Sequence, residues 1–426
     1  DGIYSEYNSC TQWHTKGVYS IPYRCYYSKD IENLFLAGRI ISASHVAFGS
    51  SRVMLTCAHG AQAVGKAVAL CHKNKWTPRT LADRDKIKQL QLALNRAGQS
   101  IPRLQIHDPE DLVGKAKISG SSELKLGKIK ESEEWKNLGT SLAQLLPLAA
   151  NQVYRFTFAV RALEDTSLTL NLRTSSKQVH FTPDQEIASK TYALKKGIQE
   201  ITFTPDQEIS KDCYAYICFM RNQLIDLNLS NERFSGIMTV LQKENRDVSN
   251  YGRQEPPSNI GIEAFDFWTP EKQPAGKNVA MTITPALQNF PPTNLANNEV
   301  RPTSDGYANC WMAAQSDKSP NLRLSWPSVV KISVLQLFFD CDFDNSLPSV
   351  LVTHPYPELP SIIKTYRIFD KHGKLIYEKL DNYQAINKIV LDEPIITDEL
   401  NIVLDQKDEN IPVSVFKIAA YSKITS

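Results

Sequence analysis

Residues 20–65 hold the densest set of groups suited to chemistry in this chain. Gly38 and Arg39 close a short apolar run, Asn33–Ala37. Ser44 and His45 follow, and Gly49, Arg52 and Val53 come next, ahead of a long run with helical spacing. Glycine at position 38 permits close backbone approach. Gly49 is read as the residue before a helix start, where unpaired N–H groups and the helix dipole favour an anion or an electron-rich ring edge. Arg39 and Arg52 add positive charge, and both also read as ordinary ion-pairing residues. The set predicts a cradle for a phosphate or an electron-rich fused ring.

The elements that must hold this cradle follow from periodicity. A helix is expected from about Ser51 to Lys73, ending near Asn74. Its Met54, Ala58, Ala61, Gly65, Val68 and Cys71 form a face of mostly small side chains that suits close packing. We expect that face to be covered by the chain's own later domains or by a second copy, since an exposed one would be sticky. Residues 80–112 read as a helical connector, with Thr80 and Asp83 as N-caps, a stripe of Ile87, Leu90, Leu94 and Ala97, and Gly98 as the stop. From residue 113 the period changes to two. Tyr154, Phe156, Phe158 and Val160 alternate with polar or small residues, as do Leu168, Leu170 and Leu172, and Tyr214–Met220 is apolar throughout. Period two returns after residue 281, through Leu322, Leu324, Trp326, Tyr366, Ile402 and Val415. The expected organisation is 1–79, an α/β segment; 80–112, the connector; 113–248, a β-sandwich; 249–280, a linker with an aromatic patch at Phe265, Phe267 and Trp268; and 281–426, a second sandwich. The fold class is mainly β.

Composition and absent motifs limit the function classes. Among 426 residues, 48 are Lys or Arg and 46 are Asp or Glu, a net charge of +2 that gives no general pull toward nucleic acid. No apolar stretch is long enough to cross a bilayer as a helix. The chain opens Asp1-Gly2-Ile3-Tyr4, without the basic and apolar regions of a secretory leader. No two glycines are separated by one residue, so the G-x-G-x-x-G turn is missing from these residues, as are the P-loop, H-E-x-x-H and G-x-S-x-G patterns. The eight cysteines form no C-x-x-C pair and read as buried free thiols. Asp340, Asp342 and Asp344 start like a calcium loop, but Asn345 and Leu351 stand where that loop needs Gly and Glu, so no metal site is assigned. The heptapeptide Phe181–Ile187 recurs at Phe203–Ile209, each copy read as a strand end followed by a turn.

The 20–65 stretch resembles the C-terminal flavin-contacting segment of a family of bacterial FAD-dependent oxidoreductases associated with carbohydrate use. The resemblance is carried by Ala37-Gly38-Arg39, Ser42-x-Ser44-His45, Gly49-x-x-Arg52-Val53-Met54 and Gln62-Ala63-x-Gly65. It departs at Ala61, where that family usually has glycine, and at Leu55, where a basic residue is common. The resemblance implies that Gly38, Arg39, Ser44, Gly49, Arg52 and Val53 contact FAD. It implies that His45 faces the ring or the substrate as the catalytic residue, against a reading of His45 as a loop histidine. It also implies that 1–79 is a remnant of a flavin domain, and that the chain is the C-terminal part of such an enzyme, lacking the dinucleotide-binding half needed for full FAD binding and turnover. The implied partners are that half, or a second copy through the 51–73 helix, and the implied location is exported. The last domain resembles a discoidin-type, galactose-binding-like sandwich, which makes Trp311, His354, Tyr356 and Tyr383 candidates for stacking on a sugar. The alternative is a carbohydrate-binding or structural sandwich protein with a vestigial flavin segment.

Overall fold

The computed structural model describes residues 18–177, 181, 183–242, 268–270, 276–303, 305–342, 358–406 and 408–423. Phe265, Phe267, Asp344, Asn345, Leu351, His354, Tyr356 and most of the 249–280 linker lie outside them. The chain divides into a helical unit, 18–110 with 298–300, and a β unit, 111–297 with 301–426.

In the helical unit, α1 spans His45–Ser51, α2 Met54–Asn74, α3 Pro78–Leu81 and α4 Ile87–Arg96. The end of α2 agrees with the periodicity. Lys75 adopts the left-handed conformation there and its N–H returns to Cys71 O and His72 O. Thr77, not Thr80, caps α3, and Thr80 N–H donates to its Oγ1 at 3.1 Å. Gly98 follows α4 at φ +85°, as its spacing requires. Ala67, Cys71, Leu81, Leu90 and Leu94 form the core, with Phe35, Leu70 and Trp76 packed against it. The expected strand at Asn33–Ala37 is reduced to one bridge between Phe35 and Tyr27. A strand needs a hydrogen-bonded neighbour, and among the described residues of this unit nothing supplies a longer one.

Gly60 is the glycine that α2 needs. A Cβ there would lie 2.8 Å from the Tyr26 ring. Burial among apolar groups pushes the Tyr26 hydroxyl up to about 12, with Cys25 adding to the shift. The buried side of α2 is therefore Gly60, Ala67 and Cys71. Of the expected small face, Cys71 lies on this buried side, whereas Met54, Ala58, Ala61, Gly65 and Val68 are exposed. Within the helical unit, then, that face is left open. Small residues occupy both sides of α2, so size alone could not select the packed side.

Among its described residues, the β unit contains three antiparallel sheets. A seven-stranded sheet runs through Asn222–Ser230, Arg155–Ala162, Met281–Leu287 and Leu126–Ile129. A six-stranded sheet runs through Met238–Gln242, Leu142–Leu148, Cys213–Phe219, Thr166–Thr174 and Gln185–Leu194. Phe158 of the first sheet meets Phe219 of the second edge-on at 4.9 Å, inside the sandwich they form. Every residue of Cys213–Phe219 is buried, as its apolar run implies. Its Tyr214, Tyr216 and Cys218 pack with Leu145 and Val240 in a separate cluster. The repeated heptapeptide takes two roles. Phe203 ends the strand Gly197–Phe203, whereas Gln185 in the other copy begins a strand, so local sequence alone does not fix its structure.

The third sheet builds the last sandwich. Asn321–Phe339 pairs with Ile386–Asp405 and Ser414–Tyr421. Register shifts at Ser325/Val330 and Ile332/Val334 bend the long pair. The chain interleaves the two sandwiches: Lys117–Gly120 pairs with Leu322–Ser325 of this sheet, while Met281–Leu287 pairs with Arg155–Thr157 of the first. Trp311 is fully buried in the core, and its Nε1 donates to Ser122 O at 2.9 Å. Gly120 makes room for it, because a Cβ there would lie 2.8 Å from that nitrogen.

Candidate functional site

The expected cofactor wall occupies residues 38–55 of the helical unit. Gly38 opens a short 3-10 turn, Gly38–Ile40, at φ +68°. Among the described residues, no atom beyond its chain neighbours lies within 4 Å of where its Cβ would stand, so it is the backbone conformation that requires glycine there. The turn packs against α2. Arg39 Nε donates to Arg52 O at 3.2 Å, which brings the two arginines to one place. Ser44 caps α1, its Oγ accepting from Ala47 N–H at 3.3 Å. His45 is the first residue of α1 and is exposed.

Gly49 departs from expectation. It lies inside α1, not before a long helix. Arg52 closes α1 with its N–H on Phe48 O at 3.1 Å, and Val53, extended at φ −70° and ψ 147°, precedes α2. The break falls at Arg52-Val53, where neither glycine nor proline marks it. Val53 has no polar side chain to cap α2, so the N–H groups beginning at Met54, not those after Gly49, present the positive helix end. The surrounding side chains are large, apolar and exposed: Ile40 by 69%, Val46 by 72%, Met54 by 79% and Leu55 by 80%.

A second polar centre lies in the β unit, where sequence reading placed only a failed calcium loop. Ser235 donates to Asp340, and its hydroxyl also shares a hydrogen bond with Ser414 at 2.8 Å. Asp342 N–H donates to Asp340 Oδ1 at 2.7 Å. Burial raises the Asp340 carboxyl to about 6, the Asp342 charge adds to the rise, and the two hydrogen bonds offset part of it. Arg233 faces Asp342 at 3.6 Å.

Of the sugar-stacking candidates, Trp311 is excluded by its burial and Tyr383 is exposed. The residues around Ser235 and Arg233 escaped sequence reading because polar turns such as Ser230-Asn-Glu-Arg233 look like any solvated loop.

The sequence profile of a family described as FAD dependent oxidoreductase matches residues 3–94. No curated protein matches the chain. Among solved structures, the chain is similar to the family 32 carbohydrate-binding module of Streptococcus pneumoniae EndoD, at 13% identity and TM-score 0.22, over 27% of this chain and 77% of that one. It is similar to the family 32 module of C. perfringens NanJ, solved with galactose, at 15% identity and TM-score 0.24, over 32% and 87%. A chitosan-binding module of a Paenibacillus chitosanase/glucanase gives 10% identity and TM-score 0.20, over 26% and 75%. Among the described residues, no helix is long and apolar enough to cross a membrane.

Proposed function

We propose that the helical unit is one wall of the flavin site of an FAD-dependent oxidoreductase, completed by a glycine-rich dinucleotide-binding half that these 426 residues do not contain. One observation carries the reading. The profile match over residues 3–94 coincides with a segment that gathers two arginines, an uncapped helix start and four large exposed apolar side chains. A soluble protein rarely leaves such apolar surface uncovered.

The residues suit one wall of an FAD site. Gly38 leaves its backbone open to approach. Arg39, Arg52 and the N–H groups at the start of α2 favour a pyrophosphate or the electron-rich edge of the ring. Ser44 caps α1 beside them, Gly49 leaves the exposed side of α1 free of a side chain so that a ring can approach it, and Val53 sets where α2 begins. When bound, FAD supplies the hydride-accepting chemistry. His45 is the group that accepts a proton as the substrate is oxidised.

Co-expression with a glycine-rich half tests the completed site. The two polypeptides are expected to co-purify, and Leu55→Lys is expected to separate them without changing the chain's own unfolding temperature. Co-purification unchanged by Leu55→Lys, or no association at all, would overturn this placement of the interface.

A second reading, that the sandwiches bind carbohydrate, is favoured by a polar cleft in the β unit bordered by Arg233, Asp408 and Asn410.

A further inference from the structure

Residues 231–233 and 277 of the β unit, with 360 and 408–411, border a cleft of about 300 Å³. Asn231, Arg233 and Lys277 line one side, while Asp408, Asn410 and Ile411 line the other. We propose that this cleft binds one neutral, polyhydroxylated ring of monosaccharide size. The proposal rests on the carbohydrate reading and gives it a site away from Tyr383.

Size limits the occupant first. The volume stands at the low end of small-molecule sites, which suits a single ring and not a chain. Charge limits it next. Lys277 Nζ donates to the Glu134 carboxylate and, at 2.8 Å, to Asn231 Oδ1. The Arg233 guanidinium faces Asp342 at 3.6 Å. Both cations thus have a carboxylate close by, and Asp408 adds a negative charge of its own. A neighbouring cleft of about 250 Å³ shares Asp408 and Ile411 and is bordered by Asp317, Asp405 and Glu409 with Lys318 beside them, so carboxylates outnumber cations there. An anionic ligand would meet this acidic surround, whereas a hydroxyl leaves the existing pairs intact. Hydroxyl groups both donate and accept. The cleft offers guanidinium and ammonium donors, a carboxylate acceptor and two amides that do both. Ile411 supplies apolar surface for the C–H face of a ring.

The polar groups are also held in place. Arg233 N–H donates to Asn410 O at 2.9 Å, which ties the two sides of the cleft together. Asn410 N–H donates to Asp408 Oδ1 at 2.9 Å, and Ile411 N–H to Asp408 O at 3.2 Å, so Asp408 is fixed by its own turn. Such preorganisation lowers the entropy lost on binding.

The experiment is calorimetric titration of the full chain with D-galactose, D-glucose and D-galacturonate. At least one neutral sugar is expected to bind with a millimolar dissociation constant, more tightly than galacturonate. Asn410→Ala and Asp408→Asn are each expected to weaken that binding by about tenfold, at an unchanged unfolding temperature. Tyr383→Ala is expected to leave it unchanged. Sugar binding that is lost in Tyr383→Ala but kept in both cleft variants would overturn this site and leave the carbohydrate reading standing. Preference for galacturonate would overturn the charge argument, and no binding of any of the three would overturn both readings.

Discussion

The Ser235 hydroxyl donates to the carboxylate of Asp340, joining the turn after the strand Asn222–Ser230 to the end of the strand Asn321–Phe339. The contact places an acid with a folded-state pKa of about 6 at a seam, against an ordinary 3.8. For an acid whose pKa is raised by folding, the folded state holds the proton more tightly. Above about pH 6 the carboxylate is charged in both states and its burial cost is full. That cost falls as pH drops from about 6 toward 4. Stability should therefore rise by about 1.4 kcal/mol from this group between about pH 7.5 and pH 5, on the way to a total of about 3 kcal/mol that is complete only below about pH 4. Asp340→Asn keeps an acceptor for Asp342 N–H and removes the charge. The difference between wild type and this variant in denaturant unfolding isolates the effect, and a difference that does not change with pH would refute it.

Gly60 should be intolerant of a side chain despite its place in a helix. Gly→Ala in a helix usually gains about 1 kcal/mol. Here the new Cβ would stand 2.8 Å from the Tyr26 ring. Gly60→Ala is expected to lower the unfolding temperature of the helical unit, and Tyr26→Ala in the same chain should relieve the clash. A stabilised Gly60→Ala variant would show that the ring can move aside.

Arg96 grips Asp108 with two hydrogen bonds, at 2.6 and 2.7 Å, and also reaches Glu110 at 2.7 Å. The Asp108 side chain is fully buried. Removing the guanidinium leaves a buried charge without its main partner. Arg96→Ala should cost roughly 3–5 kcal/mol. A loss below about 1 kcal/mol in urea unfolding would place this pair with weak surface bridges.

Trp311 should behave as a core residue. Trp311→Ala is expected to destabilise the last sandwich by roughly 3–5 kcal/mol. Trp311→Phe should keep most of the packing but lose the hydrogen bond to Ser122 O. Retained stability in Trp311→Ala, together with loss of sugar binding, would return this residue to a ligand-binding role.

These cases show what was legible in the sequence. Strong periodicity gave the strands around Phe156–Val160, Leu168–Leu172 and Tyr214–Phe219, and it gave the end of α2. The face that α2 packs was not legible, because small residues recur on both sides and only Tyr26, distant in sequence, distinguishes Gly60. The end of α1 was hidden because the Arg52-Val53 break needs no special residue. Trp311 looked like a loop aromatic because its strand is only Trp311–Met312. For the candidate flavin wall, residue types and spacing were visible, but the bond from Arg39 to Arg52 was not. The Asp408 cleft was invisible, since it joins turns 231–233 and 408–411, which are far apart along the chain.

The most direct test of the central claim is an absorbance titration of the chain with FAD, from about 300 to 550 nm, without and then with the glycine-rich half. No stable flavin bands are expected from the chain alone. With both halves, two bound-flavin bands are expected, weakened when Arg39 and Arg52 are both changed to Ala. Bands that never form with the half present, or that form and ignore the loss of both arginines, would contradict the assignment of residues 38–55 as the flavin wall.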